Sequence, residues 1–123
     1  MTRFLMALAL LASPVTAQDF STMNTHEANV AVLRGLDMLT GRTVEFTMNV
    51  GETRGFERLN LTLEECRYPG GQRATNSLAH LKVTDQRQDE GLFDGWIFAQ
   101  SPALNALEHP RYDVWLISCE VQE

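Results

Sequence analysis

Asp94, Glu108, His109 and Asp113 stand close together in the chain among the aromatic residues Trp96, Tyr112 and Trp115, which makes this the densest chemistry-bearing stretch. Carboxylates beside a histidine can pass protons, and aromatic faces can hold sugar rings or aromatic ligands. These seven residues form the candidate functional cluster. A hydrolase or metal-assisted enzyme built on this chain would use Glu108, His109 and Asp113, with Asp94 in support. Glu108 and His109 also close a short helical pattern, where a histidine can bond the last free carbonyls and needs no substrate. Trp96, Trp115 and Tyr112 form a glycan platform only if exposed and coplanar, and both tryptophans lie in apolar runs that suit a core.

Other chemistry is weakly supported. His26, His80 and His109 have no ligand spacing to one another, so neither a metal nor a cofactor is expected. His80 shares strand parity with Leu78 and Lys82, a mixed face that fits a rim position. Glu64 and Glu65 are neighbours on a strand and are expected on opposite faces, too far apart to flank one bond. The sequence contains no G-x-S-x-G, no phosphate-cradling glycine loop and no C-x-x-C. No residue is therefore assigned as catalytic.

The cysteines and the N-terminus point to a compartment. Arg3, the apolar run Phe4 to Leu11 and the small residues Val15-Thr16-Ala17 read as a signal peptide over residues 1–17, with export to the periplasm. That run is far short of the roughly 20 residues that cross a bilayer, so no membrane insertion is expected once it is removed. Cys66 and Cys119 are the chain's only cysteines, and in an oxidising compartment they are expected to form a disulfide. Such a bridge would stabilise the fold by about 4 kcal/mol in the loop-entropy model. Two buried free thiols are the alternative. Sixteen acidic residues outnumber ten basic ones, giving a net charge of −6, which disfavours nucleic acid as a partner.

The elements that must position these residues are mostly strands. Residues 18–28 are polar and unpatterned and are expected to be a flexible arm, followed by a single β domain over 29–123. Val30 to Leu39 suggests a strand with an irregularity at Gly35. Arg42 to Val50 alternates most cleanly, with Val44, Phe46, Met48 and Val50 on one face. Leu59 to Cys66, Leu78 to Thr84, Leu92 to Phe98 and Tyr112 to Cys119 follow, the last apolar on both faces and so expected at a sheet centre. Ser101-Pro102 starts a helix of about two turns that His109-Pro110 ends. The expected fold is mostly β: a small antiparallel β-sandwich or partly open barrel of six to seven strands with one short helix.

Several runs carry a family resemblance: Phe93 to Ala99, Ser101 to Leu104, Ala106 to Pro110, Tyr112 to Leu116 and Cys119, preceded by Leu33 to Asp37, Thr40-Gly41 and Val50-Gly51-Glu52. Over about Val32 to Cys119 the chain resembles the bacterial domain-of-unknown-function family 2155. The resemblance implies a small exported alphaproteobacterial protein with no assigned activity and with cysteines at the positions of Cys66 and Cys119. It brings no catalytic residues. The expected role is a non-enzymatic binding or envelope-assembly module whose partner is an envelope protein or a glycan.

Overall fold

Phe46 and Met48 point inward and Glu45, Thr47 and Asn49 outward along Arg42–Asn49, as a half-buried strand requires. The same alternation builds eight strands in the computed structural model, which describes residues 25–70, 76–88 and 90–122. They are β1 (Thr25–Ala28), β2 (Val30–Asp37), β3 (Arg42–Asn49), β4 (Thr53–Phe56), β5 (Leu59–Pro69), β6 (Leu78–Asp85), β7 (Gly91–Phe98) and β8 (Tyr112–Glu120). A five-stranded sheet runs β1-β5-β6-β7, with β4 also paired to β5, and a three-stranded sheet runs β3-β2-β8. All pairings are antiparallel. The two sheets pack face to face without closing into a barrel, which makes the expected sandwich. The leader expected at 1–17 lies outside the described residues. Thr25–Ala28, expected in the flexible arm, instead pair with the end of β5.

The core fills the space between the sheets. Leu33, Leu59, Leu61, Leu63, Leu81 and Leu116 are almost wholly buried there, each contributing roughly 1.5–3 kcal/mol. Phe56 reaches in from the edge strand β4, stacks near Phe46 and meets Tyr112 edge-on, both with ring centres 5.9 Å away. Its ring lies on Gly35, where an added Cβ would come within 2.5 Å of it. That close approach, and no irregularity of the strand, is why glycine stands there. The register break in β2 falls instead between Val32 and Leu33, against β8.

Two bulges set the direction of the cysteines. Strict alternation from Leu63 would turn Cys66 outward, and from Leu116 would turn Cys119 outward. In β5 the pairing steps from Leu63↔Leu81 to Glu65↔His80, leaving Glu64 as the extra residue. In β8 it steps from Leu116↔Leu33 to Ser118↔Val32, leaving Ile117 as the extra residue. Each bulge restores the inward phase. Both cysteines are fully buried, bonded to each other across the sheets with 5.8 Å between their Cα atoms. Their cross-strand neighbours are small: Ala28 and Ala79 beside Cys66, Ala31 beside Cys119. The bulge also corrects the expectation for the paired glutamates, since Glu64 is exposed and Glu65 stands on the outer face opposite His80.

Two further expectations are revised. β8 is the edge of its sheet, not the centre, which is β2. The helix after Ser101 is a single 3-10 turn, Pro102–Leu104, with no side-chain cap from Ser101. Asn105 already has extended backbone angles, φ −152 and ψ 110. Leu104 is therefore 73% exposed while Leu107 is buried in the core, rather than both sharing a helical face.

Candidate functional site

The segment 99–111 joins β7 at the edge of one sheet to β8 at the edge of the other, and it is anchored on both. Ala99 N–H donates to the Ser77 carbonyl at 2.9 Å, and Cys119 N–H donates to Ser77 Oγ at 2.8 Å, tying β8 to the large sheet. Asn105 Nδ2 donates to the Trp96 carbonyl at 2.9 Å, occupying an acceptor that an edge strand would otherwise leave open. Gly95 allows this approach, because a Cβ there would sit 2.9 Å from Asn105 Nδ2. At the far end His109 Nδ1 accepts from the Arg111 and Tyr112 amides at 3.0 and 3.1 Å, so its proton is on Nε2. His109 thus caps no helix; it holds the turn into β8 and stacks on Tyr112, with ring centres 5.1 Å apart.

An apolar cleft opens on each flank of this anchored segment. On the β7 side Trp96, Phe98 and Leu104 line a cleft of about 500 Å³ with Gly95 and Asn105. It adjoins a second of about 350 Å³ that shares Phe98 and Leu104 and extends to Leu78 and Pro69. On the β8 side Trp115, Leu36, Ala103 and Ala106 line a cleft of about 440 Å³ with Asp113 at its wall. The outer face beside Trp96 is polar: His80 stacks on the indole at 5.4 Å and hydrogen-bonds Asp94 at 2.6 Å. A separate polar group surrounds Glu65, the cross-strand partner of His80, where Arg67 donates to Thr25 Oγ1 at 2.6 Å and to Glu65 Oε1 at 2.7 Å. A part-buried pair lies below the β8 side, where half-buried Arg111 donates from Nε and Nη2 to the two carboxylate oxygens of buried Asp37 at 3.2 and 3.1 Å. The Arg111 hydrogen bond, with help from the Leu39 amide, holds the Asp37 carboxyl below the usual carboxylate range despite its burial.

The seven residues of the candidate cluster are therefore divided. Asp94 and Trp96 stand on the outer face of the large sheet, and Asp113 and Trp115 on the outer face of the small one. Tyr112 is 1% exposed and belongs to the core, His109 packs against it, and Glu108 is exposed. The tryptophans do not form one plane. No group of three or more histidine, cysteine, aspartate or glutamate side chains gathers to hold a metal among the described residues.

A family model described as an uncharacterized protein conserved in bacteria (DUF2155) matches residues 31–119. The chain belongs to this family. The matched span begins in β2 and ends at Cys119, so it takes in both cysteines, the anchored segment and both clefts. An uncharacterized protein of Rickettsia prowazekii (strain Madrid E) is 25% identical over an alignment of 87 residues that covers 68% of this chain and 56% of that protein. The chain thus spans little more than half the length of that relative. No solved structure matches it.

In this DUF2155 chain the sequence pointed to the cleft-lining tryptophans Trp96 and Trp115 and overlooked other residues that line or border the clefts. His80 was legible only as a rim residue, because its contacts with Asp94 and Trp96 depend on the β6–β7 register. Leu36, Leu104 and Asn105 carried no signal. An exposed leucine and asparagine on an irregular segment are compatible with any loop, and Leu36 lines the cleft only because β2 pairs with β8.

Proposed function

We propose that this domain is a non-enzymatic binding or envelope-assembly module that works in the periplasm, and that its partner docks on the edge between Trp96 and Trp115. One observation carries the reading. The two tryptophans and Leu104 frame apolar clefts on either side of a segment held by fixed hydrogen bonds, on a scaffold braced by a disulfide. Apolar openings with a few polar groups at their walls are a usual mark of an interaction site. A disulfide bracing such a small domain accords with an oxidising compartment. An envelope protein suits the two-sided edge better than a glycan, because Trp96 and Trp115 cannot lie under one sugar chain.

A photo-crosslinking amino acid placed at Leu104, on the full chain expressed with its leader in a bacterial host, tests the reading. Adducts with a defined envelope component are expected there, are expected to vanish in Trp96→Ala/Trp115→Ala, and are not expected from Thr47 on the opposite edge. Equal labelling from Leu104 and Thr47, or no adduct at all, contradicts the proposal.

A further inference from the structure

The cleft beside Trp115 contains a carboxylate with nothing to balance it. Asp113 is half-buried, lines the 440 Å³ cleft, and its side chain has no hydrogen-bond or ionic partner among the described residues. The nearest basic residue in the register, Arg34 opposite Trp115, is turned to Glu45 and bonded to it at 2.7 Å. The remaining walls are the aliphatic groups of Leu36, Pro102, Ala103 and Ala106. A half-buried carboxylate beside apolar walls and an aromatic ring can accept charge-assisted hydrogen bonds from an incoming cation.

The molecule builds the completed version of this arrangement one step away. Asp37 accepts two hydrogen bonds from Arg111, whose guanidinium also lies over the Tyr112 ring at 5.3 Å. Asp37 and Tyr112 are cross-strand partners on the inner side of the β2–β8 pair, and Leu36 and Asp113 are the next pair on the outer side. Outside, the carboxylate and the aromatic ring recur as Asp113 and Trp115, but among the described residues no arginine joins them.

We propose that the Trp115 cleft is the receptor for an arginine side chain of the partner polypeptide, a reading that rests on the edge being a docking site and names what that site recognises. The methylene stem lies along Leu36, Ala103 and Ala106, and the guanidinium stacks on the Trp115 indole and donates to Asp113. A planar fork that both stacks and makes paired hydrogen bonds fits this pocket better than the compact ammonium of lysine. The acidic net charge of −6 favours approach of such a cationic segment.

The probe is the peptide Ac-Ala-Leu-Arg-Ala-Leu-amide, titrated into the full exported chain with the indole N–H signals of Trp96 and Trp115 read by NMR. Its counterpart is the same peptide with citrulline, which keeps the shape and removes the charge. The Trp115 signal is expected to shift with the arginine peptide and to need at least tenfold more of the citrulline peptide. Asp113→Asn is expected to abolish that difference, while Glu64→Gln on the other sheet leaves it intact. Equal response to both peptides, no response, or a difference that survives Asp113→Asn overturns the assignment. If crosslinking at Leu104 succeeds while this titration fails, the docking edge stands and the arginine receptor does not.

Discussion

Gly35 has no room for a side chain, because the Phe56 ring occupies the place its Cβ would take. Gly35→Ala must therefore push that ring out of its packing with Phe46 and Tyr112, and a loss of roughly 1–3 kcal/mol in chemical denaturation is expected. The cost should shrink on a Phe56→Leu background, since neighbours in contact couple. An undiminished cost there would show that the strain lies in the β2 backbone instead. Asp37 sets a pH dependence at the same scale. Its folded pKa is lowered, chiefly by Arg111, so its contribution is fully present above the unfolded carboxylate value of about 3.9 and is lost as pH falls through the folded value. Asp37→Asn should be less stable at neutral pH and lose less on acidification, and denaturation midpoints measured against pH would reveal an unchanged acid limb if this is wrong.

At the scale of elements, alternation made six strands readable, because a half-buried strand writes its buried face into every second residue. The short strands β1 and β4 were not readable, since four residues such as Thr25–Ala28 carry too little pattern and are held by pairing with β5. The 3-10 turn was misread as a helix for a related reason: Ser101-Pro102 signals a start, and the chain then leaves the helical path at Asn105 to bond the β7 edge. The bulges were equally hidden, and in β8 plain alternation placed Cys119 on the face of Trp115. If Glu64 is only an extra residue absorbed by the ladder, then deleting it joins Leu63↔Leu81 directly to Glu65↔His80 with Cys66 still inward. The deletion variant should fold and keep its disulfide. Free thiols in that variant, read by alkylation, would mean that the bulge does more than correct the phase.

At the scale of the whole molecule, the cysteine bridge joins β5 of one sheet to β8 of the other, and β8 is the strand that carries Asp113 and Trp115. The bridge therefore adds a covalent tie between the sheets to the hydrogen bond from the Cys119 amide to Ser77 Oγ and the β2–β8 ladder. Replacing both cysteines by alanine should cost about 4 kcal/mol. Among the described residues no helix is long and apolar enough to cross a membrane. The most direct check on the account is the intact mass of the protein alkylated inside living cells before lysis. A chain beginning at Gln18, with no alkyl group on Cys66 or Cys119 until reductant is added, is the predicted result. A chain that keeps its first seventeen residues and takes up two alkyl groups without reductant would contradict it.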